Sequence, residues 1–231
     1  MSGLRKLIKK IVYPHTYSGE AYIKYLRAGG AEIGKNVTIY NAQNTIIDET
    51  ALPFIHIGDN VQITAGVTVL AHDYSYSMLG NVYGELPRIQ RRTVIGNNVF
   101  IGMQAIILMG SSIEDNVIIG AGSVVSGHIP ANSVYAGNPA KKIYTLDEFL
   151  DRSRRSFRSS AWCYLDGLKK TKDEIKPEDL IIYQALFKNS DALKEIIDSS
   201  NFCGLEDKSR INMEIYKKYD SFDQFMEGSE Q

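Results

Sequence analysis

The sequence predicts a mainly β fold, a coil of short stacked strands, followed by an α-helical extension. Three observations lead to this prediction: a six-residue period of aliphatic side chains, an uneven division of valine and glycine, and a tail rich in helix-forming residues. All twelve valines and 16 of the 19 glycines lie before residue 146. Because valine favours strands, whereas Leu, Lys and Glu favour helices, we expect the β part to end near residue 145.

The six-residue period runs without interruption over residues 95–130, and an earlier set of hexads begins at Ile33 and Ile57. The first positions of the later set are Ile95, Ile101, Ile107, Ile113, Ile119 and Val125. This period fits neither a helix nor the alternation of a hairpin strand. It is typical of a solenoid in which the first and fifth hexad positions point into a narrow core and Gly or Asn forms the corners.

Length, composition and charge place the chain among ordinary globular proteins. Its 231 residues can bury a sizeable core, and the net charge of −1 gives no general attraction to nucleic acid. Two cysteines, Cys163 and Cys203, are too few for a disulfide framework. No apolar run approaches the roughly 20 residues that span a bilayer, so we expect a cytoplasmic protein.

We expect an N-terminal helical cap over residues 1–30, the β domain over residues 31–145 and a helical extension over residues 146–231. The segment LRKLIKKIVY carries an apolar helical stripe, formed by Leu4, Leu7, Ile8 and Ile11. Two interpretations of this stripe stay open: it caps an open end of the coil, or residues 1–12 contact anionic lipid at a membrane surface.

The helical extension contains three amphipathic segments, LDEFLDRSRRSF, PEDLIIYQALF and DALKEIIDSS. The residues Lys176-Pro177 mark a good helix start for the second segment. No catalytic motif occurs there, and we expect a role in partner packing or in selection of a substrate.

The hexad period breaks after His72, and residues 73–92 predict a loop extruded from the coil. Long loops on a regular scaffold often carry function. An imidazole, with an ordinary pKa near 6.5, is suited to remove a proton from an attacking hydroxyl at cellular pH. His72 stands at the exit of the coil and is thus a candidate for proton transfer. Neighbouring strand residues face opposite sides, so we do not expect Asp73 to be its partner.

Taken together, the stretches IGNNVFIG, IIGAGSVV and IPANSVYAGNPAKKI resemble the hexapeptide-repeat acyltransferases, in the branch of the maltose, galactoside and polysaccharide O-acetyltransferases. The resemblance covers about residues 33–143. It implies a left-handed parallel β-helix, acetyl-CoA as the acyl donor, a homotrimer with the acetyl-CoA groove between subunits, and His72 as the catalytic base.

The resemblance also implies a set of acetyl-CoA contacts on the coil. The candidates are Met103, Gly120, Ala121, Ser126, Lys141 and Lys142. Small residues let the pantetheine arm approach the backbone, and the lysines can meet phosphate. Gly127 stands where the family has a lysine, so phosphate binding leans more on Lys142 or on Arg91 and Arg92.

On the acceptor side, Asn41 matches a family asparagine near the acceptor hydroxyl, and Asp48 and Glu49 match nearby acids. Which acid orients His72 stays open at this point. Tyr74 and the other loop tyrosines either stack on a sugar face or pack against the next subunit, while Arg88 is suited to pair with a carboxylate or phosphate of the acceptor.

The expected function is acetyl transfer from acetyl-CoA to a sugar hydroxyl, in a surface polysaccharide or its precursor. The alternatives are N-acetylation of an amino-sugar nucleotide and a non-catalytic β-helix assembly protein. We expect no metal, because the four histidines, His15, His56, His72 and His128, include no close pair. Both cysteines lie outside every motif, which favours direct attack over a cysteine nucleophile.

Overall fold

The protein is described by a computed structural model that covers residue 8, residues 10–187 and residues 211–228. It divides into two compact units, Met1–Asp147 and Glu148–Gln231. The N-terminal residues Leu4 and Leu7 and the segment DALKEIIDSS lie outside the described residues. The described members of the N-terminal stripe, Ile8 and Ile11, are exposed.

The first unit contains fifteen short strands that form three sheets. The strands are β1 (Glu32–Ile33), β2 (Thr38–Ile39), β3 (Ile46–Ile47), β4 (Ile55–Ile57), β5 (Gln62–Ile63), β6 (Thr68–Val69), β7 (Thr93–Ile95), β8 (Phe100–Ile101), β9 (Ile106–Ile107), β10 (Ser112–Ile113), β11 (Val117–Ile119), β12 (Val124–Val125), β13 (His128–Ile129), β14 (Ser133–Ala136) and β15 (Lys141–Thr145). Sheet 1 has the order β1-β4-β7-β10-β13, sheet 2 the order β2-β5-β8-β11-β14-β15, and sheet 3 the order β3-β6-β9-β12.

Consecutive strands therefore visit the three sheets in turn, and each circuit stacks on the one before it. Every strand pair is parallel except β14 with β15. The fold is a parallel β-helix, which confirms the coil of stacked strands predicted from the hexads. Below, the first corner joins sheet 1 to sheet 2, the second corner joins sheet 2 to sheet 3, and the third corner joins sheet 3 to sheet 1 of the next coil.

The core of the coil consists of the hexad positions predicted to point inward. The first positions from Ile95 to Val125 are at most 1% exposed. The fifth positions, among them Val99, Ala105 and Val117, are equally buried. Each hexad thus places two buried side chains, at its first and fifth positions, in the narrow core.

Asparagines form the first corner in every coil. Their φ angles lie between 53° and 60°, in the left-handed region that most residues avoid. Their side-chain amides bond to one another from coil to coil at 3.0–3.2 Å. The members of this asparagine ladder are Asn36, Asn60, Asn98, Asn116 and Asn132. The predicted use of asparagine at tight corners is confirmed.

Both ends of the coil are covered. Helix α1 (Gly19–Ala28) buries Tyr22, Ile23 and Leu26 in the same core cluster as the first coil. At the other end, β15 runs antiparallel to β14 and completes sheet 2.

The extruded segment contains a helix, α2 (Tyr76–Tyr83), where the sequence predicted only a loop. Asp73 accepts hydrogen bonds from the backbone and the hydroxyl of Ser75, and this turn leads into the helix. Gly84, with φ of 72°, ends it. No residue of α2 is buried. A helix that packs no side chain into a core needs no regular apolar face, so its residues carry no periodic pattern that would have predicted it.

The second unit contains helix α3 (Leu146–Lys169), the 3₁₀ segments Pro177–Leu186 and Glu214–Tyr216, and helix α4 (Phe222–Gly228). The amphipathic helix predicted for LDEFLDRSRRSF is confirmed within α3. The segment PEDLIIYQALF was expected to be an α-helix and is instead 3₁₀, interrupted at Ile181, whose φ is 48°. None of the helices described in the structure is long and apolar enough to cross a membrane.

Candidate active site

The candidate base, His72, lies at the third corner, where the chain leaves the second coil. Strand β6 pairs with β3 in the register Val69 with Ile47, so Asp48 follows its strand one coil below His72. Both side chains are buried, and His72 Nδ1 makes a short hydrogen bond to Asp48 Oδ2. Two residues that are 24 positions apart in sequence thus form a buried imidazole–carboxylate pair.

Two further groups hold the Asp48 carboxylate in place. The backbone N–H of Ala71 donates to Oδ2 at 2.9 Å, and the Thr50 hydroxyl donates to Oδ1 at 2.8 Å. The same hydroxyl oxygen lies 3.2 Å from His72 Nδ1. The carboxylate is therefore fixed by donors on both oxygens before it meets the imidazole.

The hydrogen bonds decide the ionisation of this carboxyl group. Burial by itself raises the pKa of Asp48, but the hydrogen bonds from Ala71 N–H, the Thr50 hydroxyl and His72 together outweigh burial and hold the pKa below its ordinary value. An ionised carboxylate accepts only, so we assign the imidazole proton to Nδ1.

The other ring nitrogen, Nε2, is buried and has no hydrogen-bond partner among the described residues. With the proton on Nδ1, Nε2 carries the free lone pair that a general base needs. The ring of Tyr74 stands edge-on to the imidazole at 90°, with 4.0 Å between the ring centroids. Tyr74 is thus the one predicted acceptor residue that contacts His72 directly.

The other two acids considered as partners of His72 have different contacts. Glu49 accepts hydrogen bonds from the hydroxyls of Tyr22 and Tyr25 on α1, at 3.2 Å and 3.1 Å. Asp73 is bonded to Ser75. Of the three acids left open by the sequence, Asp48 alone is hydrogen-bonded to the imidazole among the described residues.

Three of the predicted acetyl-CoA contacts stack on the second corner. The backbone N–H of Gly122, next to Ala121, donates to the carbonyl oxygen of Met103 at 2.8 Å. Lys141 pairs with Ala136, which lies at the same corner in the following coil. Met103, Ala121 and Lys141 are exposed, so they form one accessible edge of the coil.

Gly120 lies close to the next coil. A Cβ placed on Gly120 would come 2.7 Å from Cβ of Ala136. The two coils can therefore stack here only because residue 120 has no side chain. A Cβ on Gly122 would meet no atom within 4 Å. Gly122 is therefore the glycine of this corner that leaves open space beside the backbone.

The remaining candidates lie elsewhere. Ser126 is exposed on the third corner, the corner of His72, two coils further along. Lys142 is exposed on β15 opposite Tyr135. Asn41 lies at the second corner of the first coil, where its carbonyl oxygen accepts a hydrogen bond from the Thr45 hydroxyl. Arg88 is exposed where the extruded segment returns.

Sequence reasoning missed Thr50. Its hydroxyl touches both members of the buried pair, yet it lies in the 3₁₀ segment Glu49–Phe54, outside the hexads, and nothing in the residue pattern distinguishes it from a surface threonine. Among the residues that the structure describes, no group of three or more His, Cys, Asp or Glu side chains is placed to hold a metal ion.

Comparisons with known proteins find relatives whose similarity covers about half of this chain. The family described as bacterial transferase hexapeptide (six repeats) matches residues 92–127. Protein CapG of Staphylococcus aureus is 39% identical over 125 residues, which are 54% of this chain and 71% of CapG. The galactoside O-acetyltransferase of Escherichia coli strain K12 is 39% identical over 118 residues, which are 50% of this chain and 54% of that protein. The chain thus spans only about half the length of this second relative.

A solved structure of a galactoside acetyltransferase in complex with coenzyme A is 28% identical to this chain. The alignment covers 65% of this chain and 82% of that one, with a TM-score of 0.41.

Proposed function

Because this chain belongs to the hexapeptide-repeat transferase family, with the left-handed parallel β-helix of that family, we propose that it transfers an acetyl group from acetyl-CoA to a sugar hydroxyl. The observation that carries the proposal is the buried His72–Asp48 pair, which leaves Nε2 of the imidazole without a partner among the described residues. The names of the relatives support acetyl transfer and a saccharide acceptor.

The reaction begins when Nε2 of His72 removes the proton of the acceptor hydroxyl as its oxygen attacks the thioester carbonyl. A new C–O bond forms and the carbonyl electrons move to the oxygen. When the tetrahedral intermediate collapses, the C–S bond breaks and the CoA sulfur leaves with its electron pair. The imidazolium returns the proton to that sulfur, so atoms and charge balance.

Asp48 assists this cycle without transferring a proton itself. Its ionised carboxylate holds the Nδ1–H tautomer and stabilises the positive charge that develops on the ring. The Thr50 hydroxyl and the Ala71 N–H keep the carboxylate in one orientation. Because this pair is buried, its attraction is less screened than it would be in water.

The exposed edge of the second corner is the proposed acetyl-CoA contact. Met103, Ala121 and Gly122 offer backbone groups and open space for the pantetheine arm, and Lys141 and Lys142 supply positive charge for phosphate. Ser126 extends this contact to the third corner, where the thioester must meet His72.

For the acceptor, we propose that Tyr74 forms one side of the site, since its ring already contacts the imidazole. Asn41 lies at the second corner of the first coil, away from His72, whereas the antiparallel bridge between His72 and Gln90 brings Arg88 back near the start of the extruded segment. In a homotrimer whose sites form between subunits, as the family resemblance implies, Asn41 belongs to a site completed by a second copy. N-acetylation of an amino-sugar nucleotide uses the same base and stays the alternative.

The test is the turnover of His72→Ala with acetyl-CoA and a panel of hydroxyl and amino sugars. We expect kcat to fall by about 10²- to 10⁴-fold, the usual contribution of a general base, with CoA affinity measured by calorimetry nearly unchanged. His128→Ala is the matched control, because that imidazole is exposed and bonded to Glu114 at 2.8 Å. Normal turnover of His72→Ala would show that another residue is the base. If the natural chain does not bind CoA, the result would support a non-catalytic assembly protein.

A further inference from the structure

The second unit contains a cavity of about 360 Å³ that the acetyl-transfer proposal does not use. Pockets for small organic ligands measure about 300–1,000 Å³, so this one is large enough for a compact ligand. The lining residues that the structure describes belong to the unit Glu148–Gln231.

One part of the cavity wall is strongly cationic. Arg154, Arg158 and Lys218 line it, and no acidic side chain of the described residues does. Arg154 and Arg158 are four residues apart on α3 and therefore lie on one face of the helix. Such a pair of guanidinium groups suits the oxygens of a phosphate, which they can bind through paired hydrogen bonds.

These cations are available to a ligand. Arg154 has an exposed ion pair with Asp151 at 3.4 Å, a kind of contact that contributes little. The Arg158 guanidinium lies 4.5 Å from the centre of the Trp162 ring. No carboxylate in the described part of the chain forms an ion pair with Arg158 or Lys218.

The rest of the wall is apolar and aromatic. The rings of Phe157 and Tyr216 contact each other with 4.2 Å between centroids, and Leu186 and Ile215 complete this side. An aromatic wall of this kind favours a flat ring, such as a nucleic-acid base, which stacks on it with its apolar face.

We propose that this cavity binds a nucleotide. The phosphate lies against Arg154, Arg158 and Lys218, and the base packs on Phe157 and Tyr216. A free inorganic anion would leave the aromatic wall exposed to water, and a neutral aromatic ligand would leave the cations unpaired. The proposal is independent of acetyl transfer, because it rests on residues of the second unit alone.

Binding can be followed by the intrinsic fluorescence of the protein, because Trp162 is the only tryptophan and the Trp162 ring touches Arg158. Titration of the full-length protein with UMP or AMP is expected to give a saturable change in tryptophan fluorescence. Uridine and inorganic phosphate, which each lack half of the recognised chemistry, should bind at least about tenfold more weakly than UMP. Equal binding of phosphate and UMP would overturn the role of the aromatic wall.

Variants then locate the site by calorimetry, which does not depend on the indole. Arg154→Gln combined with Arg158→Gln should weaken UMP binding at least about tenfold. Arg155→Gln, on the same helix but outside the cavity, should bind UMP as the natural protein does, with equal helix content by circular dichroism. Lys141→Gln should also leave UMP binding unchanged. No heat of binding at millimolar UMP and AMP, or an equal loss in Arg155→Gln or Lys141→Gln, would overturn the proposal.

Discussion

At the scale of single residues, the buried carboxylate of Asp48 is the feature on which the candidate site depends. We expect Asp48→Asn to lower kcat by about 10²- to 10⁴-fold, because an amide can donate to Nδ1 and so favour the tautomer whose Nε2 carries the proton. The measurement is steady-state turnover, with Asp59→Asn as the control. The Asp59 carboxylate is exposed at the first corner, where it accepts the N–H of Lys35 at 2.7 Å.

If the two residues act as one unit, Asp48→Asn should add little to the loss already caused by His72→Ala. Full additivity of the two losses would contradict a shared role.

The same residue makes a prediction about acid stability. Hydrogen bonds hold the folded pKa of Asp48 below its ordinary value despite burial, so the folded state favours the ionised form. The stability that this provides is present above the ordinary carboxyl pKa, near 3.9, and is lost as the pH falls through the lower folded pKa. Denaturant unfolding of Asp48→Asn should therefore show a weaker loss of stability below about pH 4 than the natural chain. An unchanged acid dependence would contradict this assignment.

At the scale of structural elements, the asparagine ladder gives a clean test of what a corner contributes. Asn98 accepts from Asn60 at 3.1 Å and donates to Asn116 at 3.0 Å, with φ of 55°. Asn98→Ala should lose both bonds and also the left-handed conformation that alanine avoids, and so destabilise the fold by about 2–4 kcal/mol. Asn98→Gly keeps the conformation and should cost about 1–2 kcal/mol less than Asn98→Ala. Equal stabilities of the two variants would show that backbone strain is not what asparagine relieves there.

The extruded segment is a second element that can be separated from the scaffold. Replacement of residues 76–86 by a short Gly/Ser link should leave the melting temperature nearly unchanged, since α2 buries no residue and the chain re-enters the coil through the bond from Arg91 N–H to Ala71 O at 3.0 Å. Transfer to the acceptor should weaken or disappear, while acetyl-CoA binding stays measurable by calorimetry. Unchanged transfer would move acceptor selection to another part of the chain. Loss of the assembly would instead assign the loop tyrosines to a subunit interface.

At the scale of the whole molecule, we expect a homotrimer. The coil exposes large apolar side chains, among them Ile46 on sheet 3 and Met103 at the second corner, each more than half exposed. Such side chains favour burial against another copy. Light scattering should give about three times the chain mass of 25.8 kDa. A stable monomer with full activity would contradict both the trimer and the shared site.

The periodic part of the molecule could be predicted from sequence, and the aperiodic part could not. The hexads predicted the strands, the buried core positions and the corners, because every coil repeats the same six-residue pattern. The pairing of His72 with Asp48 could not be chosen over Glu49 or Asp73, because it depends on the register between coils and on the position of Thr50 in the 3₁₀ segment Glu49–Phe54, outside the repeat. Likewise, the role of Gly120 became visible only when its distance to Ala136 was known.

The antiparallel last strand, β15, also bears on the length of the coil. A parallel coil offers the same backbone groups at its end after every turn, so an open end is a template on which further copies could polymerise. Because β15 runs antiparallel to β14, the end of sheet 2 no longer has the parallel register that another coil would need. At the end of sheet 2, a repeat that could in principle continue into a further coil therefore stops.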